Sequence, residues 1–192
     1  MRERGHTLLE MLIVVAILLT LASVAVPWVR AFSEDAYLLN AGHEFKGDFR
    51  LGRSVAARSG VQTAIRFEEE ADGMYVSIYR DNNYNGVLSA EIESGVDTRL
   101  AGPRRLDAGA PGVRVGINPG VPKIPPARGY LDPSDPIQFG QSNMLSFSPI
   151  GTATPGTFYL AGPNAQAAVR VTPGTARVRL MICRGGSWRE RP

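Results

Sequence analysis

The chain has 192 residues, of which 44% are hydrophobic and 20% charged, with 21 Gly, 14 Pro and a single cysteine. That balance excludes a disordered chain and a disulfide scaffold, and the length fits one domain, or one domain with an appendage. The formal net charge of +3 is unevenly placed, because six arginines against one acid between Arg170 and Pro192 put +5 on that end and leave −2 on the first 169 residues. A basic end on a near-neutral body hints at an anionic partner without requiring one. Cys183 has no partner cysteine and no histidine near it in sequence. The reading taken for it is a small buried strand residue, with a reactive thiol as the rival.

In chain order, the first element is an apolar run from Leu8 to Trp28, broken by Glu10, Thr20, Ser23 and Pro27. As a helix it would reach about 30 Å, enough to span a bilayer. A cleaved secretory signal fits poorly, because the run is long and no small-x-small site follows it in "VAVPWVRAF". A retained membrane helix, with Arg2 and Arg4 on the cytoplasmic side, fits better and places nearly all of the chain outside the cytoplasm. Glu10 is the anomaly. A carboxylate in such a run is expensive, so it must either be paired or snorkel to the membrane surface.

The helical period continues past Trp28, with apolar or small residues at Leu38, Ala41, Phe45, Phe49, Gly52 and Ala56. Between them Glu34, Asp35, Glu44, Lys46, Asp48, Arg50 and Arg53 read as a solvated face. One helix is therefore predicted over 8–59, apolar all round in its first half and amphipathic over 29–59. Pro27 should bend it and Gly60 should stop it.

After Gly60 the period changes to two. "VQTAIRF" and "MYVSIYR" read as an antiparallel hairpin, and "VRVGI" as a further strand. The Pro- and Gly-rich stretch 118–135 reads as a long exposed loop. "MLSFSPIGTATPGTFYLAG" reads as strand, tight turn, strand, and "AAVRVTP" and "ARVRLMICRGG" as two more strands. The fold class is α+β: one long helix packed by one stripe on mostly antiparallel sheet.

Three constellations invite chemistry. Asp81, Asn83, Asn85 and Gly86 match the opening of a calcium loop, but the twelfth position is Ile92, with Glu91 and Glu93 one place off on either side. No helix is predicted beside it, so the reading taken is an Asx-rich turn, with a metal site as the weaker rival. The histidines, His6 and His43, are not in a zinc pattern, and no nucleophile elbow, Walker loop or dinucleotide fingerprint occurs. No enzyme activity and no cofactor are expected. Arg177, Arg179, Arg184 and Arg189, with Trp188 among them, could contact phosphates and stack on a base. The rival is an edge strand guarded by charge.

The start "RGHTLLEMLIVVAI" resembles the prepilin motif of type IV pilins and type II secretion pseudopilins, a short basic leader ending in Gly before an apolar stretch with Glu fifth. "LSFSPIGTATPGTFYL" and "AAVRVTPGTARVRL" resemble the GspH/FimT family of minor pilins and pseudopilins. The resemblance implies a leader over residues 1–5, cleavage after Gly5 by a prepilin peptidase, and N-methylation at His6. It also implies a membrane and filament-core helix over 6–28 and a periplasmic β-rich domain over 60–192. It gives Glu10 a partner, the free amine of a neighbouring subunit, and makes Pro27 part of the assembly helix. It implies other pilins or pseudopilins as partners, anchorage in the inner membrane, and a role in protein secretion. The alternative it carries is DNA uptake through Arg177 and Arg179.

Overall fold

The computed structural model describes residues 8–106 and 110–191. Helix α1 (Leu8–Ser59) is 52 residues long, about 78 Å from end to end. Its backbone continues without a break through Pro27. It ends at Gly60, whose N–H bonds to the Ala56 carbonyl at 3.1 Å and whose φ of +69° is left-handed. That conformation costs a glycine little and stops the helix.

Leu38, Ala41, Phe45, Phe49 and Ala56 are all buried, so the predicted stripe of the second half of α1 is the stripe that packs. Two antiparallel sheets receive it. The first has the strand order β3-β2-β1-β6, from β1 (Thr63–Glu70), β2 (Gly73–Arg80), β3 (Thr98–Arg105) and β6 (Met144–Phe147). A six-residue helix, α2 (Ser89–Ser94), lies between β2 and β3. The second sheet runs β10-β9-β8-β7-β4, with β5 also paired to β7. Its strands are β4 (Arg114–Val115), β5 (Ile137–Gln138), β7 (Gly156–Ala161), β8 (Gln166–Val171), β9 (Val178–Arg184) and β10 (Ser187–Arg191).

Phenylalanines join the three layers. Phe49 of α1 meets Phe67 of β1, Phe139 and Phe158 of β7 edge-on at 6.1, 5.8 and 6.4 Å, and Phe67 stacks on Phe158 at 5.2 Å. Offset and edge-to-face pairs of this kind add to what the buried area alone contributes. Two glycines let α1 come close to the sheets. A Cβ on Gly42 would stand 2.6 Å from Leu180 Cδ1, and one on Gly52 would stand 3.2 Å from Ile65 Cδ1.

The predicted hairpin forms as β1–β2, in the register Thr63↔Arg80 to Glu70↔Gly73. Four expectations are corrected. "MLSFSPIGTATPGTFYLAG" is not one hairpin: β6 pairs with β1 in the first sheet and β7 with β8 in the second. The alternation in each half is genuine, but pairing partners are chosen by long-range burial that alternation does not encode. The 118–135 loop is not wholly exposed, since Ile124 and Leu131 are buried with Ile117, Tyr159, Ala168 and Met181 on the outer face of the second sheet. The solvated face of α1 is in part a polar seam: Lys46 is only 6% exposed, Glu44 and Asp48 both pair with Arg104 of β3, and Asp35 pairs with Arg184 of β9. Finally, β3, β5, β10 and α2 form where no element was expected.

Candidate functional site

Among the described residues, nothing covers the first half of α1. The segment Leu8–Val26 has a mean hydropathy of 2.6, and none of it is buried within the chain. Large apolar side chains stay exposed from Leu8 through Trp28 to Phe32. A helix that is apolar all round and exposed all round needs a non-aqueous surrounding, either lipid or a bundle of similar helices. Its 19 residues reach about 28 Å, close to a hydrocarbon core. Glu10 stands exposed in the first turn, where the positive end of the helix dipole favours a carboxylate. Pro27 lies one residue past the span. Gly5 and His6, the expected cleavage junction, lie outside the described residues.

The comparisons bear on this end of the chain. Residues 1–26 match the family described as the prokaryotic N-terminal methylation motif. The chain carries a type IV pilin-like prepilin signal. Such a signal implies processing by a prepilin peptidase and assembly with other pilin-type subunits. Together with the one helix among the described residues that is long and apolar enough to cross a membrane, it fits a single-pass membrane anchor. Searches of the curated proteins and of the solved structures found no match to this chain.

The arginine end takes the form of the rival reading, an edge strand: residues 187–191 are β10, paired to β9 with Trp188 opposite Cys183 and Glu190 opposite Met181. Alternation then separates the arginines. Arg179 shares the outer face with Met181 and Glu190, whereas Arg184 and Arg189 lie on the side of Leu180 and Ile182, toward α1. Glu190 accepts from Arg179 Nε at 2.9 Å and from Arg177 Nη2 at 3.3 Å. The Arg179 hydrogen bond is the largest cause holding the Glu190 carboxyl below its ordinary range, and the same bond raises Arg179. Arg184 pairs with Asp35 of α1.

Trp188 is not presented as a stacking platform. Its Nε1–H donates to the Pro122 carbonyl at 2.8 Å, and its ring meets Tyr159 edge-on at 6.4 Å. It pins the Pro-rich loop onto the outer face of the second sheet. Sequence reasoning missed Glu190 as the group that organises this end, although an acid among six arginines was the available signal.

Lys46 was also missed. Burial is the main cause that lowers its pKa, with Arg50 adding to it and Glu190 opposing. Cys183 is buried, and desolvation raises its thiol pKa. The thiolate, the reactive form, is thereby suppressed.

At the Asp81 turn, the carboxylate accepts the N–H groups of Asn83, Tyr84 and Gly86 at 3.0, 2.8 and 2.9 Å. This is the Asx-type turn that was expected. Asn83 and Asn85 do not face Asp81 with their side chains; both amides turn to Glu91.

Proposed function

We propose that the protein is a minor pilin or pseudopilin of the GspH/FimT type, anchored in the inner membrane, with residues 60–192 in the periplasm. After cleavage between Gly5 and His6 it enters a short filament through α1, and it works by assembly and contact rather than by catalysis. The observation that carries this reading is the uncovered apolar segment Leu8–Val26, with one acid near its start, placed directly behind a prepilin signal. In a bundle of such helices the Glu10 carboxylate meets the new amine of a neighbouring subunit, and an acid that is costly in an apolar surrounding gains a cationic partner.

Between the two machines, we favour a type II secretion pseudopilus. The DNA-uptake alternative needs Arg177 and Arg179 free for phosphates, and both are engaged by Glu190. The deciding measurement is mass spectrometry of the mature protein. The expected N-terminus is a methylated His6; one at Met1, or beyond residue 28, removes the prepilin reading. A mobility shift of the full chain with double-stranded DNA, lost in Arg177→Ala with Arg179→Ala, would instead move the reading to DNA uptake.

A further inference from the structure

We propose that the cleft between the Pro-rich loop 118–135 and the outer face of the second sheet binds an acidic peptide segment, with Arg170 as the group that takes its carboxylate. The inference does not rest on the filament reading, and the cleft lies on the sheet face turned away from α1.

One cross-strand pair in the second sheet is unfavourable. Arg170 of β8 stands directly opposite Arg179 of β9. In such a pair the Cβ atoms are about 5 Å apart, and like charges repel. Glu190 answers Arg179 and Arg177. Arg170 has no ion-pair partner among the described residues, and it is only partly exposed, so water does not fully replace one.

The register says where this cation points. Thr157 pairs with Arg170 and Tyr159 with Ala168, so Arg170 shares a face with Tyr159. The Pro-rich loop packs on that face through Ile124 and Leu131. The loop is closed on itself, because the Lys123 N–H donates to the Gly129 carbonyl at 2.9 Å and the Leu131 N–H to the Val121 carbonyl at 2.8 Å. Trp188 holds it at Pro122. Between loop and sheet a cleft of about 460 Å³ remains, within the ~300–1,000 Å³ of ordinary ligand sites. Arg170 and Lys123 line it together with Asp135, Leu131 and the Tyr130 and Tyr159 rings.

The charges in the cleft are separated rather than paired. Asp132 Oδ1 is turned back to the Ser134 N–H and hydroxyl, at 2.9 and 2.7 Å. Asp135 forms no ion pair with Arg170 or Lys123. Burial raises the pKa of the Tyr159 phenol, Thr157 and Arg170 oppose that, and Asp135 adds to it, so both charges lie near one ring. An unmet cation and an unmet carboxylate beside apolar side chains fit a ligand that carries an anion, N–H donors and apolar surface together. A peptide with an acidic side chain does so. Its carboxylate suits the guanidinium fork, which grips planar carboxylates through two parallel hydrogen bonds. Its backbone N–H groups suit Asp135 as acceptor. A neighbouring apolar side chain can lie on Tyr130, which is 71% exposed. A phosphate, with more negative charge, would meet stronger repulsion from Asp135. Pro119, Pro122, Pro125, Pro126 and Pro133 stiffen the loop, which lowers the entropy lost when a ligand is held against it.

The test uses the full chain in detergent micelles. The probes are acetylated, amidated hexapeptides with one central glutamate among Gly, Ala, Leu, Ser and Phe, and a matched set with glutamine in its place. Binding is read by saturation-transfer NMR on the peptides. The glutamate set should bind, and the glutamine set should bind about ten-fold more weakly or not at all. Arg170→Gln should weaken the glutamate set by a similar factor, and Lys123→Gln, on the exposed loop, should weaken it less. Arg170→Gln should also raise the unfolding midpoint of the chain by about 1 °C, because it removes one of two facing like charges. An arginine that merely held the fold would do the opposite. Equal binding of the two peptide sets overturns the proposal. So does binding that Arg170→Gln leaves unchanged, or a fall of several degrees in its unfolding midpoint. Displacement of the peptides by inorganic phosphate or double-stranded DNA in preference to free glutamate would overturn it as well.

Discussion

At Glu10, Glu190 and Cys183, one side chain in each case carries a distinct consequence. Glu10 is exposed on an apolar helix, and the pairing proposed for it lies outside the subunit. Glu10→Ala should leave membrane insertion intact, because it removes a charge from an apolar run, yet reduce filament incorporation to near background. Co-purification with tagged partner pilins checks it, and normal incorporation would refute the pairing role. Glu190 is tied to pH. Its folded carboxyl titrates below its ordinary value of 4.5 because Arg179 donates to the charged form. A depressed carboxyl pKa contributes stability that is present above the unfolded value and lost as pH falls through the folded one. Acidification below about pH 4.5 should therefore loosen β10 before it melts the core. Trp188 fluorescence, read in a Trp28→Phe background, should change there, and Glu190→Gln should abolish that step. Cys183 is buried with its thiol pKa raised, so alkylation at neutral pH should be slow until the domain unfolds.

Helix α1 was legible as an element almost to the residue, because a period of three to four sustained across Leu38 to Ala56 outweighs local noise and Gly60 marks its end. What that pattern could not convey was the use of its polar side. Lys46 and Asp48 look like solvent-facing charges until a sheet edge is placed beside them, and Arg104, which meets Asp48, is 56 residues away in sequence. Strands β3 and β10 were invisible for a related reason. Thr98–Arg105 is exposed along nearly its whole length and contains Gly-Pro, and Ser187–Arg191 is dominated by charge. Neither shows the apolar alternation by which half-buried strands are found. The stripe of α1 makes a direct prediction. Phe49 is fully buried among Phe67, Phe139 and Phe158. Phe49→Ala should cost about 3–5 kcal/mol, measured by chemical denaturation of the detergent-solubilised chain, while Arg53→Ala, on the exposed side, should cost little.

On the scale of the whole molecule, one helix does two jobs with two solvents. Its second half is covered by sheets and its first half by nothing among the described residues, and the boundary falls near Phe32. That division argues for an orientation. The side chain of an exposed loop tip far along the sequence should face the compartment opposite to Arg2 and Arg4. Ile150 is 86% exposed, at the turn between β6 and β7, and Cys183, the one native thiol, is buried at 4% exposure. Ile150→Cys therefore supplies a single reactive thiol without removing the native one. In cells whose outer membrane alone is permeabilised, a membrane-impermeant maleimide should label Ile150→Cys and leave the unaltered protein nearly blank. A cysteine placed at Arg2 should label only after the inner membrane is opened, and only in protein that has kept its leader. The reverse pattern would invert the anchor and remove the periplasmic filament reading.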